Sequence, residues 1–270
     1  MTRRLPPSRP KVGTRQRRVP RLLRAATAHH RSDAADTVLA VVLTFVAGAV
    51  NAGGFLAVGQ YTSHMTGIVS AIADHLVLGT YALAAVGALS LATFIAGAAT
   101  SALLINWGRR NTRKKQYAYP IALEALLLLG FGVLGVSTGA APQVLPLALP
   151  LLCFLMGLQN ATITKLSGAR IRTTHLTGMV TDIGIEIGKL VYLHRDSGRS
   201  AHLRVVADRQ KLALLAVLVT TFLAGGAIGA VGFSIYGYVF CVPLAALLFL
   251  LAVPQLLPAR RLQNGKEPCP

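Results

Sequence analysis

The chain has 270 residues, of which 53% are hydrophobic and only 13% are charged, and its net charge is +18. A soluble domain carries about a quarter charged residues, because its surface faces water. The composition therefore excludes an ordinary soluble enzyme and indicates helices whose outer surfaces meet lipid. The three cysteines, Cys153, Cys241 and Cys269, are scattered and predict neither a disulfide framework nor a zinc site.

The N-terminal segment is strongly basic. Residues 1–32 contain ten arginines and lysines and no acid, and this tail has too little apolar content to fold alone. A nucleic-acid-binding arm is one interpretation. We favour a disordered cytoplasmic arm attracted to anionic lipid headgroups, and we expect no nucleic-acid partner. The first apolar run starts near Val38 without a convincing cleavage site after it, so a cleaved signal peptide is not expected.

Six apolar stretches are long enough to cross a hydrocarbon core of about 30 Å. They cover residues 37–58, 82–107, 118–137, 143–163, 212–233 and 235–257. Two further segments are ambiguous, because 66–79 is short and 176–193 contains three charged residues. Each charge near the centre of a spanning helix costs roughly 2.5–3.5 kcal/mol on insertion scales. The second segment is therefore expected to lie against protein or a wet cavity.

The charge of the loops separates two topologies. The loops 108–116, 164–174 and 194–211 are cationic, and so are both tails. If both ambiguous segments crossed, the first two of these loops would lie outside, against the positive-inside bias. If neither crosses, all three loops and both termini are cytoplasmic. The sequence therefore predicts an all-α, multi-pass protein of a bacterial-type cytoplasmic membrane, with about six spans plus two short non-crossing helices.

An internal repeat relates the two halves of the chain. In the first half, Asn51-Ala52 precedes Thr62-Ser63-His64-Met65-Thr66-Gly67, and in the second Asn160-Ala161 precedes Thr173-Thr174-His175-Leu176-Thr177-Gly178. Farther on, Thr93-Phe94-Ile95-Ala96-Gly97 matches Thr221-Phe222-Leu223-Ala224-Gly225. Each repeat has one span, one short segment and two more spans, and this odd number of crossings predicts two inverted repeats, as in many transporters. The predicted parts are a basic tail (1–35), two membrane repeats (36–140 and 141–258) and a cytoplasmic tail (259–270).

Four acids fall within the membrane segments, where ionisable groups are costly and usually functional. They are Asp74, Glu124, Asp182 and Glu186. Asp182 and Glu186 share a helical face, and Lys189 offers a structural ion pair with Glu186 as the alternative to a functional role. Glu124 lies near the start of its span, and we expect it to snorkel toward the cytoplasmic loop rather than form a site.

Two histidines, His64 and His175, occupy matched positions before a Thr-Gly pair. Paired histidines could relay protons or sense pH, and the alternative is a histidine that caps a helix end. Neighbouring hydroxyls, including Thr66 and Thr177, have the chemistry of helix N-caps. Free N–H groups at helix starts favour an anion, whereas the nearby acids favour a cation or a proton, so the charge of a solute stays open.

Asn51 and Asn160 end the first helix of each repeat. A carboxamide at such a position satisfies freed backbone groups or binds a solute, and we favour backbone repair.

Small residues recur at a spacing of four, at Gly97 and Ser101 and again at Gly225 and Gly229, which predicts close helix packing rather than a site. The chain has no G-x-S-x-G, H-E-x-x-H, phosphate-cradling loop or dinucleotide fingerprint. We therefore expect no catalytic residue, no metal site and no cofactor.

The stretch Gly157-Leu158-Gln159-Asn160-Ala161, followed by Arg172-Thr173-Thr174-His175-Leu176-Thr177-Gly178, resembles the YoaK family of bacterial membrane proteins. In that family a G-x-Q-N-A run leads to an R-T-T-x-x-T-G run, and an earlier D/N-A-x-G-F run leads to M-T-G. Asn51-Ala52-Gly53-Gly54-Phe55 and Met65-Thr66-Gly67 fit the earlier part, with Asn51 where related sequences often have Asp. The resemblance covers about 37–257 and implies an integral membrane protein of about six spans, without an established activity.

The architecture favours a permease-like transporter of an unknown small solute, with protons as the coupling ion, and this inference is one of analogy. The residues expected to bind the solute or couple its movement are His64, Thr66, Asp74, His175, Thr177, Asp182, Glu186, Asn51 and Asn160. The alternative is a non-transporting membrane scaffold or sensor, and an intramembrane enzyme is a third hypothesis. The expected partners are membrane lipid and the solute, and a homo-oligomer is compatible with the sequence.

Overall fold

The computed structural model describes residues 33–111, 116–138, 145–166, 175–193 and 206–256, and within these ranges the chain is helical without a strand. In chain order the elements are α1 (Asp33–Val58), α2 (Met65–Val77), α3 (Tyr81–Asn111), α4 (Ala118–Ser137), α5 (Leu145–Leu166), α6 (Leu176–Leu193), α7 (Arg209–Tyr236), a 3₁₀ turn (Gly237–Phe240) and α8 (Cys241–Leu256). The all-helical class predicted from the sequence is confirmed.

Five continuous helical stretches of the described chain are long and apolar enough to cross a membrane: Thr37–Val58, Tyr81–Asn111, Ala118–Ser137, Leu147–Leu166 and Arg209–Val253. The helix α2 is apolar but shorter, and α6 is not among these candidates. The last stretch has 45 residues and would be about 68 Å long if it were straight, which is more than twice the thickness of a hydrocarbon core.

The last stretch bends at Gly237, where φ is +56°, a left-handed conformation that favours glycine. The ring of Phe240 lies against Gly232, and it also packs edge-on against Phe233 with ring centroids 5.4 Å apart. In a straight helix, residues 232 and 240 would be about 12 Å apart along the axis. The chain therefore turns back between α7 and α8.

The centre of the molecule is formed by α1 and α5, whose side chains are mostly buried together with inward faces of α4 and α8. Leu43, Leu152, Leu128 and Leu248 are each 0% exposed. The longer helices α3 and α7 instead leave large apolar side chains such as Leu103 and Leu223 exposed, the surface expected of helices that face lipid.

Two pairs of helices run parallel and cross closely. Along α1 and α7, Gly48 packs on Gly226 and Gly53 packs on the ring of Phe233, so the two helices run in the same direction. Along α3 and α5, Gly97 packs on Leu158 and, one turn farther, Ser101 hydrogen-bonds Thr162 at 2.8 Å.

Two other pairs run antiparallel. Between α1 and α5, Gln159 donates to the carbonyl of Leu43 at 3.2 Å, whereas Gly54 packs on Leu152. Residue numbers therefore rise on one helix while they fall on the other. Between α4 and the start of α8 the same holds, because Gly132 packs on Cys241 and Gly135 packs on the preceding Tyr238.

Glycines allow the close approach of the helices in both parallel pairs, as the small-residue pattern predicted. A Cβ atom on any of four glycines would collide with a backbone carbonyl oxygen of the facing helix. The pairs are Gly48 with Phe222, Gly225 with Phe45, Gly97 with Phe154 and Gly157 with Phe94. Gly229 also packs on the backbone of Ala49, so the prediction that the small residues serve helix packing is confirmed.

Candidate functional site

The helices α2 and α6 begin in the same way. The carbonyl of His64 accepts from Ile68 N at 3.1 Å, and the carbonyl of His175 accepts from Met179 N at 3.1 Å. Each imidazole folds over the glycine three residues later, Gly67 in α2 and Gly178 in α6. A Cβ there would occupy the space of the ring, so any larger residue would displace the exposed imidazole from this position.

The histidines flank their helices and are exposed, as are Thr66 and Thr177. The N-cap residue of α2 is His64, and its side chain makes no capping hydrogen bond. The nearby threonines and serine were expected to supply N-cap chemistry, but Thr66 is already inside the helix and Ser63 bonds elsewhere. Thr173 and Thr174 lie outside the described residues.

Asn51 ties the end of α1 to the loop before α2. Its Oδ1 accepts from the backbone N–H of Ser63 at 3.2 Å and from the Ser63 hydroxyl at 3.0 Å. The carboxamide thus satisfies a freed backbone donor, which is the role favoured from the sequence.

Replacing Asn51 with leucine removes both acceptor contacts and is expected to lower the free energy of unfolding by about 1–2 kcal/mol. Asn51→Asp keeps an acceptor for both Ser63 donors and should lose less stability than the leucine variant, because those donors offset part of the cost of burying its charge. Thermal melts of the detergent-solubilised protein compare the two variants. Equal losses in both would show that the hydrogen bonds to Ser63 are not what matters at this position.

Asn160, the counterpart of Asn51 in the sequence repeat, is half-buried in α5. Its Oδ1 is buried and has no hydrogen-bond partner among the described residues. An acceptor buried in an apolar interior costs free energy unless something donates to it. Asn160 therefore presents an acceptor whose donor the described chain does not supply.

The acids of α6 are neutralised by lysines. Glu186, only 2% exposed, accepts from Lys189 Nζ at 2.8 Å and from the backbone N–H of Asp208 at 2.8 Å. Asp182 pairs with Lys211 of α7 at 3.1 Å. The Glu186–Lys189 ion pair expected as the structural alternative is present. Both carboxylates lie level with the first turn of α7, at the end of a candidate span rather than at its centre.

The pKa of Glu186 is held below its ordinary value by the hydrogen bond from Lys189 and by the one from the Asp208 backbone. A carboxyl with a lowered folded-state pKa stabilises the fold above its ordinary pKa of 4.5, and this contribution is lost as the pH falls through the folded-state value. We expect the amide hydrogens at the start of α7 to lose protection, relative to their intrinsic exchange rates, only in acid below the ordinary pKa of 4.5. Glu186→Gln should show this reduced protection already at neutral pH and should match the wild type in acid, and an unchanged wild-type profile in acid would contradict the assignment.

Asp74 is exposed on α2, one residue before His75, whose Nδ1 lies 2.8 Å from the Thr80 hydroxyl.

The site residues of the two halves form separate groups, because α2 packs on α3 and α6 packs on α7. Within the described ranges, no hydrogen bond or ion pair joins one group to the other. His/Cys/Asp/Glu groups that could hold a metal ion are also absent from that part of the chain.

Glu124 is the residue that the sequence placed wrongly. It does not snorkel, because it is 0% exposed and its Oε1 accepts from Gln159 Nε2 at 2.7 Å. The same nitrogen donates to the carbonyl of Leu43, so one amide links α4, α5 and α1. The only sequence signal for this contact was a Gln beside Asn160 in a span otherwise apolar at that depth.

A groove of about 380 Å³ opens between α1 and α7 beside Asn51. Phe55 and Tyr61 stack at its rim with ring centroids 4.7 Å apart, and Phe222 and Gly226 line its α7 side. Its lining is mostly apolar, and Asn51 and Tyr61 bring polar groups to it.

The apolar helices and the large apolar side chains exposed on their outer surfaces define a polytopic α-helical membrane protein. A family model described as a protein of unknown function (DUF1275) matches residues 39–253, and the chain belongs to this family. YoaK-family proteins are members of it, so the resemblance is confirmed. No curated protein and no solved structure matches the chain.

Proposed function

We propose that the chain crosses the membrane six times as two inverted repeats and acts as a permease-like carrier of a small solute. The observation that carries this proposal is the direction of the helices. Elements that correspond in the repeat run opposite to each other, α1 to α5 and α4 to α8. If α2 and α6 both crossed, these pairs would run parallel.

The directions of the two parallel helix pairs also agree with six membrane crossings. Helix α7 runs with α1, and α3 runs with α5, so α3 and α7 also oppose each other. With α2 and α6 kept on the two membrane faces, six crossings satisfy every one of these directions. The turn at Gly237 separates the fifth crossing from the sixth.

The close glycine contacts within the two parallel helix pairs, α1 with α7 and α3 with α5, support a duplication. The sequence match equates Gly97 with Gly225 and Phe94 with Phe222. Phe45 and Gly48 in turn have the same spacing to Asn51 that Phe154 and Gly157 have to Asn160. Each glycine–carbonyl contact between α1 and α7 therefore has its counterpart between α3 and α5.

Inverted repeats with short helices are the architecture of many secondary transporters, in which one part rocks against the other around a central site. We assign solute binding or coupling to His64, Thr66, Asp74, His175, Thr177, Asp182, Glu186, Asn51 and Asn160. Within this set, Asn160 offers an unsatisfied acceptor, and Asn51 borders the groove between α1 and α7. Asp182 and Glu186 have lysine partners, so a solute that binds there must compete with Lys211 or Lys189.

Reconstituted protein in proteoliposomes tests the carrier role. Small neutral, anionic and cationic solutes are applied one by one while transport-linked currents and internal pH are recorded. The proposal expects one solute class to produce a saturable signal that Asn160→Leu abolishes and the exposed substitution Gly130→Ala leaves intact. If no class moves while the protein remains folded, the carrier role is contradicted.

A membrane scaffold or sensor is the second candidate, favoured by the fact that several site residues already have partners within the chain. Asp182→Asn separates the two. A scaffold predicts weakened assembly with its partners, because an ion pair to Lys211 this exposed contributes too little to unfold the protein by itself. A carrier predicts an intact protein with altered flux.

We further propose that the protein lies in a bacterial cytoplasmic membrane with both termini in the cytoplasm, where the basic tail (1–35) contacts anionic headgroups. A peptide of residues 1–32 should bind vesicles that contain phosphatidylglycerol, release them in salt, and ignore phosphatidylcholine vesicles. Salt-resistant binding to both vesicle types would contradict an electrostatic tail.

A further inference from the structure

The buried carboxyl of Glu124 joins the two halves of the molecule. It lies six residues after the start of α4, about 9 Å along the helix. Its partner Gln159 belongs to α5, so the 2.7 Å hydrogen bond between them connects the first half of the chain to the second. Both side chains are 0% exposed.

The oxygen atoms around this bond lack a donor. Glu124 Oε2 and Gln159 Oε1 are both buried, and neither has a hydrogen-bond partner among the described residues. The amide nitrogen of Gln159 is already shared between Glu124 and the Leu43 carbonyl. Every remaining polar atom of the pair is therefore an acceptor, and one added hydrogen would supply what is missing.

Within the described ranges, the helices packed around Glu124 also bring no buried positive charge to it. Helices α1, α4 and α8 contain no lysine, arginine or histidine. The cationic residues described on the other packed helices, α3 and α5, are all exposed: Arg109, Arg110 and Lys165. The other titratable groups buried on these elements are the thiols of Cys153 and Cys241.

An ionised carboxylate without a cation in an apolar interior is far more costly than a neutral one, and it takes up a proton instead. We propose that Glu124 is an exchangeable proton-binding site, occupied by a proton when α1, α4 and α5 are packed as in this structure. The proton converts Oε2 from an acceptor into a donor and removes the charge.

This inference deepens the proposed function, because it assigns the coupling ion to Glu124. It rests on the carrier role for coupling but not for proton binding. The carboxyl and its amide partner belong to opposite halves, so a movement of one half against the other changes the hydrogen bond that holds the neutral acid. Release of the proton would then accompany exposure of Glu124 to water.

Infrared difference spectroscopy of the full chain in lipid nanodiscs tests proton binding directly. The wild type is titrated from neutral to alkaline pH, and the spectrum of Glu124→Gln is subtracted. We expect a carboxylic-acid C=O band at neutral pH that is absent from the variant and converts to carboxylate bands as the pH rises. Glu186→Gln is the matched control and should retain the band, because Glu186 is held ionised by Lys189.

Two results would overturn the proposal. Carboxylate bands assigned to Glu124 at neutral pH would show that the group is ionised in the folded protein. Loss of the acid band on addition of sodium at constant pH would make the oxygens a metal-cation site instead. In proteoliposomes, a band without proton-coupled flux would remove the carrier role and leave the proton site standing.

Discussion

Gly97→Ala is expected to disrupt the fold although it adds only one methyl group. That group would collide with the carbonyl oxygen of Phe154, and a backbone atom of a packed helix cannot move aside as a side-chain end can. We expect a loss of more than about 4 kcal/mol of unfolding free energy, which single substitutions reach only through severe effects such as a backbone clash. Little monodisperse protein should survive solubilisation, as judged by size-exclusion chromatography.

The matched control is Gly130→Ala, on α4, where a Cβ would have no atom within 4 Å. Alanine is favoured over glycine inside a helix by about 1 kcal/mol, so this variant should melt at or above the wild-type temperature. The counterpart of Gly97 in the second repeat, Gly225, should behave like Gly97 because it meets the Phe45 carbonyl. A Gly97→Ala protein that melts with the wild type would show that the α3–α5 crossing is looser than described.

Gln159→Leu is expected to lower the free energy of unfolding by about 3 kcal/mol, since it strands the buried Glu124 carboxyl without a donor. The double variant Glu124→Met with Gln159→Leu should recover much of that loss, because two apolar side chains of similar size replace two polar ones. Thermal melts of the wild type, Gln159→Leu, Glu124→Met and the double variant form a complete mutant cycle.

Lys165→Ala serves as the control for this cycle. Lys165 reaches Asn106 at 3.4 Å on the exposed surface, so its removal should change stability by less than about 0.5 kcal/mol. If the double variant loses as much as the sum of the single variants, Glu124 and Gln159 contribute independently. Their hydrogen bond would then not account for their burial.

The helices were predictable from the sequence because lipid-facing spans have a composition that few other structures share. The predicted stretch 118–137 coincides with α4, while 82–107 falls short of α3, since Arg109 and Arg110 continue the helix beyond the apolar run. For the turn between α7 and α8, the sequence predicted only that one apolar stretch ends and the next begins there. Its left-handed Gly237 and the ring of Phe240 depend on a contact with Gly232 that composition does not encode.

The polar contacts were less predictable. Glu186 and Lys189 are one turn apart on a single helix, so their ion pair followed from spacing alone. Asp182 and Lys211 lie on different helices, and no sequence rule selects that partner. Glu124 was misplaced because its distance from the span's start predicted snorkelling, whereas Gln159 on α5 offered a buried donor.

The arrangement of inverted repeats is tested most directly by topology. In a chain whose native cysteines are replaced, single cysteines are placed at Asn111, Ser167 and Ser197, with one at Thr138 as the external control. A membrane-impermeant thiol reagent is applied to intact cells. With six crossings and inverted repeats, we expect Thr138 to label at once and the other three to label only after permeabilisation. Labelling of Asn111 and Ser167 in intact cells would mean eight crossings and parallel repeats, and would contradict this arrangement.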